Sequence, residues 1–217
     1  MKKKRPLERR IYEFEARVMP DESDNGLRTI TGTPIVYNSR TDLGYFDEVI
    51  EQGALDQADL TDVRFLVNHD LKMIPLARSR RNNPNSTLRL TPNFEGMEME
   101  TDVDVANNVS ARELVSALDR GDVSGMSFMF SVRDEEWDDL DTDHPLRRIK
   151  AIDSIVEISA VTFPAYDATE IQARTKEALE NARRTLENVK EKRIEEKSLE
   201  NDKKLALEKA KFEFLAK

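Results

Sequence analysis

The chain of 217 residues contains only two histidines, and His69 is the one at a position suited to chemistry. It follows the apolar residues 65–67 and Asn68, and it precedes Asp70. A histidine at the end of a strand, just before a loop, is well placed to act as a general base near neutral pH. On this residue alone, a surface histidine beside an aspartate is the commoner explanation.

Ser127 is the candidate nucleophile that such a base would activate. It lies in residues 124–130 (SGMSFMF), where large apolar side chains flank the serine and Gly125 permits close backbone approach. This setting can hold a hydroxyl against a base and leave backbone N–H groups of residues 125–128 for an oxyanion. The nucleophile elbow of α/β-hydrolases is missing, because position 129 is methionine and not glycine. A serine in an ordinary strand is commoner than a nucleophile, and Ser124 is a rival in the preceding turn.

A third group is needed to orient the imidazole and to stabilise its charged form. Glu157 is the first candidate because it lies among apolar residues, where an unpaired carboxylate is costly. Strict alternation would place residues 155, 157, 159 and 161 on one face, so the solvent face of an edge strand is the alternative environment for Glu157. Asp153, Asp70 and His144 are the other candidates, and the choice among the four stays open.

Composition disfavours several other kinds of site. The chain has no cysteine, so a disulfide, a cysteine nucleophile and a thiolate zinc site are impossible. No pair of histidines has metal-binding spacing, and the acidic residues 134–143 lack the glycine and the register of a calcium loop. No glycine-rich phosphate or dinucleotide motif occurs. The sequence therefore predicts neither a cofactor nor a bound metal.

The charge distribution disfavours nucleic-acid and membrane partners. The net charge is −9, and from Ile171 onward 13 basic residues face 10 acidic ones, which leaves −12 for residues 1–170. An acidic body is unsuited to general nucleic-acid binding. The basic residues 2–5 are not followed by an apolar run, and no segment is apolar enough to cross a bilayer. We expect a soluble intracellular protein.

The elements that must position these residues are mostly short strands. Alternating, β-branched segments predict strands at residues 28–37, 87–91, 96–103, 127–132 and 149–163. One amphipathic helix is predicted over residues 109–118, with Ser110 as its cap. The acidic residues 134–143 are predicted to form a loop, because their charges would repel one another. Many short strands with few helices indicate a β-barrel or a curved sheet with helical additions.

The chain changes character near residue 170. Residues 171–217 contain neither glycine nor proline and consist mainly of charged residues, alanine and leucine, which predicts a long helix. Leu179, Ala182, Leu186 and Val189 follow 3-4-3 spacing, as in a short coiled-coil seam. We expect the helix either to bury this seam against a partner, including a second copy of the chain, or to stay solvated.

A set of segments along the chain resembles a known family of phage enzymes. They are, in order, residues 32–38 (GTPIVYN) with 44–48 (GYFDE), 50–55 (IEQGAL), 68–70 (NHD), 76–78 (LAR), 120–128 (RGDVSGMSF) and 157–166 (EISAVTFPAY). Each segment is weak alone, but their joint order and spacing is specific, and they extend over about residues 10–175. By these segments the sequence resembles the prohead proteases of HK97-like tailed phages.

The resemblance implies an α+β fold similar to that of the herpesvirus assembly protease (assemblin), a β-barrel with surrounding helices, here followed by a long C-terminal helix. It implies a serine endopeptidase with His69 as base, Ser127 as nucleophile and Glu157 as third member. Herpesvirus relatives use a second histidine as the third member, so His144 stays an alternative to Glu157. The implied substrates are the scaffold, or the scaffolding segment of the major capsid protein, and the protease itself. Cleavage would occur inside the procapsid, in the host bacterial cytoplasm.

The chain is accordingly expected to have three parts. Residues 1–10 form a basic end expected to be disordered, residues 11–170 the protease domain, and residues 171–217 a charged helical tail. The tail is expected to tether the protease to helical scaffold or to be the beginning of a fused scaffold. The alternative function is a non-enzymatic capsid or tail assembly protein, because a shared fold does not prove catalysis.

Overall fold

The computed structural model describes residues 6–12, 16–19, 25–81, 83–162 and 172–215. Its strands are β1 (Glu8–Tyr12), β2 (Arg17–Val18), β3 (Leu27–Val36), β4 (Thr41–Asp42), β5 (Asp47–Ile50), β6 (Arg64–Val67), β7 (Ala77–Arg78), β8 (Leu88–Pro92), β9 (Gly96–Asp104), β10 (Gly125–Asp138) and β11 (Leu146–Val161). Its helices are α1 (Val109–Asp119) and α2 (Gln172–Leu215). Each strand and helix expected from periodicity is present, some as part of a longer element.

Strand β11 is the centre of the larger sheet. It pairs antiparallel with β10 from Leu146 to Val161, and β10 pairs antiparallel with β1 on its other side. The second edge of β11 is shared, because β5 pairs in parallel with its first part and β6 in parallel with its last part. Strands β4 and β7 extend these two branches. The two ends of β11 therefore have different surroundings.

The second sheet has the order β2-β3-β9-β8 and is antiparallel throughout. Its buried side chains, among them Ile30 and Met97, join Phe128 and Ile158 of the larger sheet and the apolar face of α1 in one core. Removing this apolar surface from water is the main force that holds the sheets together. In each of the two sheets, the outermost strands of the described chain do not pair with each other. A closed barrel is therefore not confirmed for the described part of the chain. The fold is a mixed, sheet-rich arrangement with a C-terminal helix.

The acidic residues 134–143 do not all form the predicted loop. Residues 134–138 belong to β10 and pair with a basic part of β11. Glu136 lies 3.1 Å from both the Arg148 guanidinium and the Lys150 ammonium. The predicted loop is wrong for residues 134–138, because charges that repel along the sequence are attracted to opposite charges across the ladder, and residues 139–143 form the turn that follows.

Helix α1 begins at Val109 as predicted, but its cap is Asn108 and not Ser110. The Asn108 side chain accepts hydrogen bonds from the backbone N–H groups of Ser110 and Ala111. Asparagine at this position satisfies donors that the first helical turn leaves unpaired. After the helix, Gly121 adopts a left-handed conformation (φ +75°) that glycine tolerates without strain.

The N-terminal segment is more ordered than the sequence suggested. Residues 8–10 were expected in a disordered end, yet they belong to β1, and both Glu8 and Arg10 are buried there. Residues 1–5 lie outside the described residues. The other expected divisions of the chain stay predictions.

Part of the helical tail packs against the body of the same chain. Ala182 and Leu186 of the seam are buried against Phe46 and Leu140, with Val189 at the edge of this contact. The seam therefore has an intramolecular partner, whereas the side chains of residues 194–206 are exposed. The side chain of Leu179, which the sequence placed in the same seam, lies outside the described residues. Among the described helices, none combines the length and apolarity that a membrane crossing requires.

Candidate active site

His69 follows the carboxyl end of β6 and turns back beside β11. Val67 of β6 is paired with Ala160 of β11. Asn68 and His69 then both have left-handed backbone (φ +52° and +59°), which is uncommon for residues other than glycine and concentrates at functional sites. The Asn68 N–H donates to the Ala160 carbonyl (2.9 Å), and Asn68 Oδ1 accepts from the N–H of Thr162 (3.1 Å). This turn keeps the His69 side chain largely buried, with 11% exposed.

Glu157 is the carboxylate that meets this imidazole. Its Oε1 forms a hydrogen bond with His69 Nδ1, and its side chain is only 1% exposed. A lone carboxylate at this depth would be strongly disfavoured, so the pairing accounts for its burial. Strand β11 is paired on both edges at this residue. The alternative of a solvent-facing edge strand is therefore wrong.

A bulge in β11 turns Glu157 away from the main core. Met129 pairs with Glu157, but the next residue of β10, Phe130, pairs with Ile155, so β11 has one unmatched residue. Ile155 and Ile158 both belong to the main core. Glu157 therefore lies on the opposite face of the sheet from Ile155. The expectation that residues 155 and 157 share one face is wrong.

Ser127 lies on the same face of the sheet as Glu157, directly across from Ser159. Ser127 and Ser159 are Cα partners in the β10–β11 ladder, and the side chains of such partners stand on one face roughly 5 Å apart. Ser159 is two residues from Glu157 in β11, and its hydroxyl accepts a hydrogen bond from the N–H of His69 (3.1 Å). The register therefore brings Ser127 next to the His69–Glu157 pair.

The Ser127 hydroxyl is not hydrogen-bonded to His69 in this structure. It donates to the carbonyl oxygen of Arg10 in β1 (2.8 Å), and Ser127 is fully buried. His69 Nε2 is also buried, and it has no hydrogen-bond partner among the residues that the structure describes. The imidazole thus keeps one unused nitrogen, and the serine expected to use it is bonded elsewhere.

At Ser127, strand β10 is paired with another strand on each of its two edges. Residues 126–128 pair with β1 on one edge and with β11 on the other. Residues inside a sheet have their N–H groups committed to its ladders. The backbone donors that the sequence suggested for an oxyanion are therefore in use at these three positions.

The other candidates for the third member lie in different surroundings. His144 is 41% exposed, and its Nε2 is 3.1 Å from Asp47 Oδ1, near the end of β11 that pairs with β5. Asp70 uses Oδ1 to accept the backbone N–H two residues further on (2.9 Å). Asp153 is half-buried in β11, four residues before Glu157. Glu157 is the acid found at the imidazole.

Asp42, Asp47 and His144 bring possible metal-ligand atoms within 4.8 Å of one another. Arg40 also contacts Asp47, with an N–O distance of 2.5 Å. Burial acts to raise the pKa of Asp47, but hydrogen bonds from His144 and Arg40 outweigh it and lower that pKa. Ion pairing accounts for this cluster, and the expected lack of a metal stays a prediction.

A second buried polar cluster lies at the other end of β11. Arg147 contacts Glu8 (2.6 Å), Glu48 (2.9 Å) and Glu135, and Arg10 contacts Glu8 (2.7 Å) and Glu48 (2.5 Å). We call these five residues the arginine–glutamate cluster. Burial acts to raise the pKa of Glu8, but Arg147 and Arg10 outweigh it and lower that pKa to about 2. Burial acts to lower the pKa of both arginines, and their glutamate partners raise it above its usual range.

Comparison with known protein families decides what kind of protein this is. Residues 14–184 match the family model Peptidase_S78, described as caudovirus prohead serine protease. The chain belongs to this family. His69, Ser127 and Glu157 all lie within the matched residues of this prohead protease. No curated protein matches the sequence.

A search of solved structures gives a distant likeness. One matching structure is titled as that of the bacteriophage T4 capsid assembly protease, gp21. The two chains share 12% identity with a TM-score of 0.40, and the match covers 73% of this prohead protease and 99% of the T4 chain. The assignment to the family depends on the family model alone.

Proposed function

We propose that this prohead protease is a serine endopeptidase in which Ser127 is the nucleophile, His69 the general base and Glu157 the acid that orients the imidazole. The observation that carries the proposal is the hydrogen bond between His69 Nδ1 and the buried Glu157 carboxylate. Ser127 occupies the neighbouring position on the same face of the sheet. Membership of a serine protease family supports this choice of chemistry.

The contact with Glu157 selects the tautomer of His69. A carboxylate accepts the proton on Nδ1, so Nε2 of the neutral imidazole has a free lone pair. The same carboxylate stabilises the imidazolium that forms once Nε2 takes a proton. Its burial strengthens this attraction, because charges out of water are poorly screened.

Catalysis requires the Ser127 hydroxyl to change its partner. Oγ must exchange its hydrogen bond with the Arg10 carbonyl for one with His69 Nε2. Side chains move between staggered rotamers about 120° apart, so such a change needs no shift of β10. We interpret the described arrangement as a resting state of the site.

The chemical steps are those of acyl transfer. Ser127 Oγ attacks the carbonyl carbon of the scissile peptide bond while His69 Nε2 takes the hydroxyl proton. The C–N bond breaks as His69 gives that proton to the leaving amine, and an acyl ester remains on Ser127. Water then attacks the ester carbonyl as His69 takes a proton from it, and the proton returns to Ser127 as the new carboxyl end leaves.

The proposed substrates follow from the family. A prohead serine protease has proteins of the assembling head as its natural targets. We include the scaffold, or the scaffolding segment of the major capsid protein, and the protease itself. The proposed place of cleavage is the interior of the procapsid in the host bacterial cytoplasm.

The long helix and the likeness to assemblin belong to the same proposal. Ala182 and Leu186 of α2 are engaged by the body of the protein, so a tether to helical scaffold would use the exposed residues 194–206. A resemblance to the herpesvirus barrel would require further strand contacts beyond the two open sheets.

A non-enzymatic assembly role is the second candidate. It is favoured by one observation, the hydrogen bond that commits the Ser127 hydroxyl to Arg10 and not to His69. The two candidates differ in whether the serine is needed for cleavage.

Changing Ser127→Ala during co-expression with the major capsid protein of the same phage tests the proposal. We expect cleavage, followed on a gel, to fall by at least about 10³-fold, because the nucleophile is lost. Ser131→Ala is the matched control, since Ser131 is also buried in β10 and its hydroxyl bonds Ser154 (3.0 Å). Ser124→Ala tests the rival serine. Cleavage at the normal rate by Ser127→Ala would exclude the assignment, and normal cleavage by Ser124→Ala as well would favour the assembly role.

A further inference from the structure

Ser159 is fully buried in β11, between the parts of the proposed site. Its hydroxyl donates to Glu157 Oε2 (2.6 Å) and accepts from the backbone N–H of His69 (3.1 Å). Across the ladder its partner is Ser127. One hydroxyl therefore contacts the acid and the main chain of the base, and it faces the nucleophile.

The bond that Ser159 donates fixes the Glu157 carboxylate. One carboxylate oxygen faces His69 and the other faces Ser159, so rotation about the last side-chain torsion would break both hydrogen bonds. That torsion has broad preferences when nothing holds it. The bond also satisfies an oxygen that would otherwise be buried without a partner, which is costly for a charged group.

The bond that Ser159 accepts holds the main chain of His69. The left-handed backbone of Asn68 and His69 is unfavourable for residues other than glycine, and it persists only where the surroundings hold it. The Asn68 backbone is bonded to β11, and its side chain is bonded to Thr162 directly after that strand. The Ser159 hydroxyl adds the corresponding tie for His69, so it helps to set the position from which the ring reaches Glu157.

We infer that Ser159 is a positioning residue, which aligns the Glu157 carboxylate and the His69 imidazole for proton transfer from Ser127. The inference rests on the proposed function. Ser159 itself is unsuited to act as nucleophile, because its proton is given to a carboxylate and its oxygen meets a main-chain N–H. It acts through the two residues that it holds.

The rate at which a fluorophosphonate labels the full chain measures this alignment without a known substrate. In that reaction the Ser127 Oγ–P bond forms, the P–F bond breaks, fluoride leaves and His69 takes the proton. We expect Ser159→Ala to slow labelling by about 10- to 100-fold, because small misplacements of reacting groups have effects of this size. Ser159→Thr retains the hydroxyl and should restore the rate to within about threefold of the unmodified chain. Ser131→Ala should label at the normal rate.

A double-mutant cycle distinguishes positioning from general loosening of the sheet. If Ser159 acts through the acid as well as through the main chain of His69, Ser159→Ala should slow a Glu157→Gln protein less than it slows the unmodified chain, since coupled groups are not additive. Equal slowing in both backgrounds would overturn the inference, as would normal labelling of Ser159→Ala. Ser159→Cys keeps the size but weakens the donor, and it replaces Ser159→Ala in the cycle if the alanine variant does not fold.

The same labelling experiment distinguishes failure of the proposed function from failure of the inference about Ser159. Mass spectrometry should find the label on Ser127, and Ser127→Ala should remain unlabelled. Labelling of Ser127→Ala at the normal rate, or no labelling of the unmodified chain, would count against the proposed function and hence against the inference. Normal labelling of Ser159→Ala together with loss in Ser127→Ala would remove the inference and leave the proposed function intact.

Discussion

The two ends of β11 each carry a buried polar cluster, and the two clusters differ in one respect. At the start of the strand, Arg147 belongs to the arginine–glutamate cluster, in which oppositely charged side chains face one another at short distance. At its end, Glu157 pairs with His69, whose second nitrogen is buried and has no partner in the described part of the chain. Satisfied buried groups specify a structure, whereas a buried group left open has capacity for chemistry.

This difference distinguishes a candidate active site from a structural ion-pair cluster within the single strand β11. Both clusters are buried and both contain charged groups, so burial alone does not separate them. They differ because His69 Nε2 has no hydrogen-bond partner among the described residues and because the hydroxyl of Ser127 lies on the same face of the sheet as Glu157. We therefore expect changes at the end with His69 to lower activity and changes in the arginine–glutamate cluster to lower stability.

The largest contrast should come from the same substitution at both ends. Glu157→Gln should lower the peptidase rate by about 10⁴-fold, because an amide neither fixes the tautomer nor stabilises the imidazolium. Glu48→Gln removes a buried charge from the arginine–glutamate cluster and should lower stability while the folded fraction keeps its activity. Labelling rates and unfolding curves of both variants are the measurements. Equal loss of activity in the two folded variants would contradict the distinction.

The next largest effect is expected at Arg147. Arg147→Met should lower the free energy of unfolding by about 4 kcal/mol, because Arg10 is then the one arginine of the cluster left to balance its glutamates. Lys150→Met is the control in the same strand, since its pair with Glu136 is exposed and screened by water and should contribute little to stability. Denaturation in urea measures both. A similar loss in the two variants would mean that burial of the cluster does not matter.

The smallest of the three effects is the pH dependence of the arginine–glutamate cluster. The pKa of Glu8 is lowered from 4.5 to about 2, so its contribution is present above pH 4.5 and disappears as the pH falls towards 2. The shift corresponds to about 3 kcal/mol of stability. Unfolding free energies of the unmodified chain and of Glu8→Gln should therefore converge over this range. Parallel curves from pH 6 to pH 2 would contradict the ion pairing of Glu8.

Local patterns predict a large share of the fold. Strand β3, strand β9 and helix α1 follow from alternation and amphipathic periodicity, because each buries a regular face. The extension of β10 through residues 134–138 does not follow, because its charges are neutralised by residues of another strand. The seam of α2 is visible in the sequence, but its partner on the body is not.

The candidate site shows the same division between local and long-range information. The sequence singles out His69, Ser127 and Glu157 by residue type and by resemblance. It does not predict the bulge that turns Glu157 away from Ile155, since bulges depend on the register of two strands. Ser159 escapes notice because its only local signal is a spacing of two residues from Glu157. Arg10 escapes because its fully buried partner Glu48 is 38 positions away in the sequence.

The order of the strands along the chain determines how late in synthesis the candidate site can form. The hydrogen bonds that join His69 to Glu157 and Ser159 span 88 and 90 positions, and both partners come from the last strand to be made. In the proposed function, a growing chain from which β11 has not yet emerged lacks Glu157, Ser159 and the centre of its larger sheet. We therefore expect a nascent chain to show no peptidase activity before β11 has paired with β6.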